Sequence, residues 1–166
     1  ALEVGDGGNV TVTVTGINNN GVIVGASLVQ SSEKSGKEVR HATRWVNGEI
    51  EDLGNGYYSV ATDVNDKGQI IGGMNGELVV WQDGKVVSIQ GLVKDLQKGE
   101  TVAYDSSNNQ TFSLDGSLDL TIRILTYSGA QMYNGQVLPE ISFRYIKIFL
   151  PDDVNNVSTV IPTSKK

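Results

Sequence analysis

The sequence has no cysteine, one histidine and three prolines among its 166 residues. Without cysteine there is no disulfide, no thiolate zinc site, no iron–sulfur ligation and no thiol nucleophile. One histidine excludes a multi-histidine metal site built within a single chain. Basic residues are scarce too: 13 Lys and Arg stand against 19 Asp and Glu, a net charge of −6. Nucleic acid and anionic membranes are therefore poor partners, because phosphate binding needs a basic stripe. No apolar run reaches about 18 residues, so no membrane-spanning helix is expected. A basic segment followed by an apolar one is also missing at the start. Ala1 then reads either as the residue left after signal-peptidase cleavage or as an arbitrary boundary.

What is abundant is glycine. The 20 Gly are about 12% of the chain, against a usual ~7%. Such an excess suits an all-β chain with many tight turns. Strand alternation is common. Val10, Val12 and Val14 alternate with Thr11, Thr13 and Thr15. Leu118, Leu120, Ile122 and Ile124 alternate with Asp119, Thr121 and Arg123. Each pattern turns one face to a core and one to water. Asn47-Gly48, Asn75-Gly76 and Asp83-Gly84 sit between such runs and predict type I′ hairpins. Asn20-Gly21 and Lys67-Gly68 mark two more tight turns. The best helical candidate is Ser88 to Gly99, with Leu92, Val93 and Leu96 as its apolar positions.

Two stretches repeat each other. Ile17-Asn18-Asn19-Asn20-Gly21-Val22-Ile23-Val24-Gly25 matches Val64-Asn65-Asp66-Lys67-Gly68-Gln69-Ile70-Ile71-Gly72. Each is followed by a Trp strand and a tight turn, Trp45 with Asn47-Gly48 and Trp81 with Asp83-Gly84. The offset is 47 residues at the Asn and 36 at the Trp, so the first unit carries an insertion of 11. The Asn side chain can bond the backbone two residues on, the next Gly closes the turn, and the last Gly leaves room for close strand approach. Each unit reads as about four short strands in meander order, like a propeller blade.

These units resemble the HAF repeat family. The first supplies His41-Ala42-Thr43-Arg44-Trp45, Asn47-Gly48 and Leu53-Gly54, with Thr43 where that family usually has Phe. The second has Glu77-Leu78-Val79-Val80-Trp81 and loses the His-Ala signature. The resemblance covers about residues 12–90. It implies a secreted or cell-envelope bacterial protein of propeller-like β architecture, with no catalytic residues. Residues 91–166 do not show the repeat. There Gly99 to Gln110 reads as a loop, and Thr111–Leu114, Ser117–Tyr127 and Glu140–Leu150 read as strands. Ile141 to Leu150 is apolar in both phases apart from Arg144 and Lys147, as expected of a strand buried on both sides. The polar tail Pro151 to Lys166 is expected to fray. The expected organisation is two repeat units over 1–90, forming an open sheet, covered by a second β layer or small β domain over 91–166.

Candidate sites are few, and no cofactor or metal is expected. His41 lacks a recognisable nucleophile and reads as a motif residue bonding a neighbouring strand. Glu49 and Glu51 share a strand face beside Asp52, with Asp152 and Asp153 late in the chain. Paired acids about 7 Å apart would suit a glycosidase; a solvated edge strand is the plainer reading. Asp63 to Gly68 resembles a calcium loop but has Lys67 and Met74 where ligands would stand, so turn chemistry explains it better. Trp45, Trp81, Tyr57, Tyr58, Tyr127 and Tyr133 are the candidate ligand-binding residues, as stacking or surface aromatics. Recurrence of Trp at one repeat position also suits a core anchor. The insertion Ser31 to Lys37 could carry recognition, as polar loops on a rigid sheet often do. The function expected is non-catalytic binding of a protein or carbohydrate surface partner, in adhesion or assembly. The alternatives are a carbohydrate-active hydrolase with paired carboxylates and a structural subunit, a homo-oligomer joined at strand edges.

Overall fold

The computed structural model describes residues 12–30, 38–54, 58–104, 110–156 and 164–165. Among these residues strands dominate, in three antiparallel sheets and no barrel. The first sheet is a meander of β1 (Val12–Ile17), β2 (Ile23–Gln30), β3 (Glu38–Val46) and β4 (Glu49–Asp52). The second is a meander of β5 (Ser59–Val64), β6 (Ile70–Met74), β7 (Glu77–Gln82) and β8 (Lys85–Ser88). A single helical turn, α1 (Ile89–Leu92), leads to the third. This has β9 (Glu100–Val102), β10 (Ser117–Tyr133), β11 (Gln136–Phe149) and β12 (Ser164–Lys165), in the order β12-β11-β10-β9.

Local chemistry explains the hairpins. Asn47, Asn75 and Asp83 hold φ of 51°, 52° and 51°, each followed by a glycine of positive φ. Both central residues of a type I′ turn need that sign, which Asn/Asp-Gly tolerates. Asn134-Gly135 does the same between β10 and β11 (φ 52° and 78°).

Each repeat unit carries a β-bulge in its first strand. The register slips at Thr15 opposite Gly25 and Val24, and at Thr62 opposite Gly72 and Ile71. A methyl on Gly25 would overlap the Thr13 carbonyl, and one on Gly72 the Val60 carbonyl. Glycine there is a requirement of the bulge, which brings backbone to backbone. The displaced threonines tie each unit to the next: Thr15 Oγ1 donates to the Ala61 carbonyl of β5 at 2.7 Å, and Thr62 Oγ1 to the Gln110 carbonyl in the segment before β10 at 2.6 Å.

The turn after the bulge occurs three times. In the first unit Asn18 N–H donates to Val22 O and Gly21 N–H to Asn18 O. In the second, Asn65 N–H donates to Gln69 O and Gly68 N–H to Asn65 O. In the third sheet, Ser113 N–H donates to Ser117 O and Gly116 N–H to Ser113 O. The third sheet thus begins β10 from the same turn, with Ser113 in place of the Asn.

The sheets stack face on face. Strand periodicity gives each a front and a back. The back of the first sheet (Val24, Ala42) packs on the front of the second (Ala61, Val64, Ile70, Val79, Trp81). The back of the second (Ile71, Leu78, Val80) packs on the front of the third (Leu118, Leu120, Ile122, Ile146, Ile148). Ile89, Leu92 and Val93 fill the end of this second layer. Every residue of β7 after Glu77 is buried, because its sheet is covered on both sides.

Several expectations need correction. The two units form separate stacked sheets rather than one open sheet, and the third sheet covers only the second. The predicted helix shrinks to Ile89–Leu92: Ser88 makes no side-chain cap, Gly91 sits inside the turn, and Val93 is already extended. Thr111–Leu114 is not a strand but the approach to the turn at Asp115-Gly116. Glu100–Val102, inside the expected loop, pairs with β10 at Ile122 to Ile124. The strand expected to be buried on both sides is covered on one only. Ile146 and Ile148 face the core, while Ile141, Phe143, Tyr145 and Phe149 are exposed. The tail does not fray at its start: Pro151 to Asn156 docks on the second sheet. Gln69 Nε2 donates to Pro151 O, Gln82 Nε2 to Asp152 O, and Val154 N–H to Gln82 Oε1.

Candidate functional site

Two places concentrate chemistry. The first is a cleft of about 290 Å³ where the ends of the first two sheets meet, lined by Arg44, Glu51, Asp52, Trp81, Gln82 and Asp83 among others. β3 and β4 bring Arg44 opposite Glu51, and the two side chains form an ion pair. Asp52 is also engaged. Its carboxylate lies 3.0 Å from His41 Nδ1 and accepts from Gly54 N–H at 2.8 Å. The far nitrogen of His41, Nε2, is buried and has no hydrogen-bond partner. Through its Asp52 contact, His41 joins β3 to β4.

Trp81 forms the floor. It is 5% exposed, and its indole N–H donates to Leu53 O at 3.2 Å. Trp45, its repeat counterpart, lies on the front of the first sheet and is only half-buried. Tyr58 is exposed. Tyr57 and the insertion Ser31 to Lys37 lie outside the described residues, as do the side chains of Tyr127 and Tyr133, whose backbone runs in β10. Glu49 is exposed at the edge of the first sheet. The structure thus brings Glu51, Asp52 and Trp81 into one cleft and leaves the other candidates apart. The Asp63–Gly68 segment is a turn: Asn65 Oδ1 accepts from Lys67 and Gln69 N–H. No cluster of three or more metal-ligating side chains exists among the described residues, and none of their helices is long and apolar enough to cross a membrane.

Among the described residues, four carboxylates have their pKa values moved down. Lys147 and Ser117 hold Asp115 low, Lys67 holds Asp152, and Asn19 donors hold Asp66. Arg144 holds Glu100 low, through a paired contact at 2.6 and 3.1 Å, and is itself raised.

The second place is the back of the third sheet. Thr121 pairs Tyr145, Arg123 pairs Phe143, and Leu125 pairs Ile141, so all share that face. Tyr145 is 63% and Phe143 56% exposed, and Phe149 continues the row. Lys147 lies 5.4 Å from the Phe149 ring centroid. The sequence shows this row only as a strand apolar in both phases, a pattern that burial on both sides and one open aromatic face share. In comparisons with known proteins, no family model matches the chain, and no curated protein or solved structure matches it.

Proposed function

We propose that the protein is a secreted or cell-envelope, non-catalytic binding protein of HAF-like units, acting in adhesion or assembly. One observation carries the reading: the open aromatic row Phe143, Tyr145 and Phe149, with Arg123 beside it. Aromatic residues and Arg are the types enriched at the centres of protein interfaces, and single buried anchors there dominate affinity. Exposing such a row to water has no structural benefit and an aggregation cost. The resemblance of both units to an extracytoplasmic repeat supports the compartment.

The test is binding of labelled protein to isolated bacterial envelopes and to their purified polysaccharide. Phe143→Ser/Tyr145→Ser should bind about tenfold more weakly or worse, which corresponds to ~1.4 kcal/mol. Unchanged binding would remove the aromatic row from the reading. A hydrolase draws its support from Glu51 and Asp52 in one cleft. Release of sugar products that stops in Glu51→Gln would establish that alternative instead.

A further inference from the structure

We propose that copies of this chain associate head to tail, the back of the third sheet of one copy covering the front of the first sheet of the next. The proposal rests on the binding role given above to the aromatic row and names its occupant.

The argument begins with what repeat positions share. Ile23, Trp45 and Val14 of the first sheet stand where Ile70, Trp81 and Ala61 stand in the second. In the second sheet these positions are buried, because the back of the first sheet covers them. In the first sheet part of the same face is open: Val14 is 62% exposed, and Val12, Ile17 and Ile50 are exposed with it, while Ser27, His41 and Thr43 on that face are buried. Among the described residues, no sheet covers the open part as the first sheet covers the second. Within the chain the rule is applied twice: a back face seals the next front face, first to second and second to third. Among the described residues one back face remains unused, that of the third sheet. Its β11 row, Ile141, Phe143, Tyr145 and Phe149, is aromatic and aliphatic, with Asp119, Arg123 and Lys147 among it; the open front offers Val12, Val14, Ile17 and Ile50. Joining unlike faces is heterologous, so a second copy leaves one free face at each end, and growth continues until a ring closes or a filament forms.

Sedimentation velocity with the full chain tests this across roughly a hundredfold range of concentration. Two variants break one face each: Val14→Glu the front and Tyr145→Glu the back. Both positions are exposed, and unchanged circular dichroism and melting would show that each variant folds. The wild type should associate progressively. Each variant alone should be monomeric, and an equimolar mixture should return a dimer and nothing larger, since each copy keeps the face the other lacks. Three results would overturn the proposal. One is a wild type monomeric throughout. Another is association lost in Tyr145→Glu but kept in Val14→Glu, which means back-to-back pairing. The third is a mixture that stays monomeric. A monomeric wild type whose envelope binding still depends on Tyr145 would defeat self-assembly and leave the binding role standing. Self-association without envelope binding would confine binding to other copies.

Discussion

The two layers between the three sheets are built differently. Between the first and second, small residues, Val24, Ala42 and Ala61, pack with Val64, Ile70, Val79 and Trp81. Polar ties cross this layer. Thr15 reaches Ala61 O, Asn18 Nδ2 donates to Asn65 O at 3.0 Å, and Asn19 N–H donates to Asp66 Oδ1 at 2.8 Å. Between the second and third, long aliphatic side chains fill the space, and α1 plugs its end. The first layer is set by where particular small and polar groups fall. The second has polar ties as well, from Thr62 and Asp63 to the segment before β10, but its bulk is aliphatic volume, which tolerates substitution as long as the total is kept. That difference accounts for the two legible repeats and the illegible third. A unit whose neighbour is held by volume can lose its signature residues and keep its turn.

The comparison can be broken from either side. Leu120→Ala empties the aliphatic layer and should cost about 3–4 kcal/mol in urea unfolding. A loss under about 1 kcal/mol would mean that this layer collapses freely. Gly25→Ala pushes a methyl into the Thr13 carbonyl and should cost about 2–3 kcal/mol. The matching third-unit position is already Leu120, so the glycine requirement belongs to the bulged units alone. Thr15→Val and Thr62→Val each remove one tie between layers, at about 1 kcal/mol each in thermal melts.

Acid should act at the third sheet as well as at Asp66 and Asp152. Glu100 and Asp115 are held below the usual carboxylate range when folded, by Arg144 and Lys147 respectively. The unfolded chain then binds protons first, so stability is complete above the ordinary values near ~4 and falls as pH drops through and below them. Arg144→Ala should flatten that fall in a pH series of melting temperatures; an unchanged slope would assign it to other acids. The smallest effect is expected from Lys67→Ala, whose partner Asp152 is largely exposed, with no measurable change in melting.

Much of the first two sheets was legible because their chemistry is local. Asn47-Gly48 specifies a turn within four residues, and Asn18 and Asn65 bond the backbone beside them. The third sheet was harder. Its turn at Ser113 keeps the backbone bonds without the Asn that announces them. Asn134-Gly135 was as plain a signal as the other three turns, and reading it would have extended β10 and β11 to their full lengths. Whether Phe143 meets a core or water depends on how many sheets the stack has, and no local pattern states that. The Arg44–Glu51 pair follows from the register of β3 with β4, which the Asn47-Gly48 turn already fixes. The placing of Trp81 beneath Leu53 depends on the neighbouring sheet.

Burial of the middle sheet on both sides also bears on time. In a row of units that touch only their neighbours, opening starts at the ends and moves inward. Amides of β6 and β7 can exchange with solvent only after one outer sheet has lifted away. Their protection therefore measures the cohesion of the whole row, while β1 and β12 report only on its frayed edges.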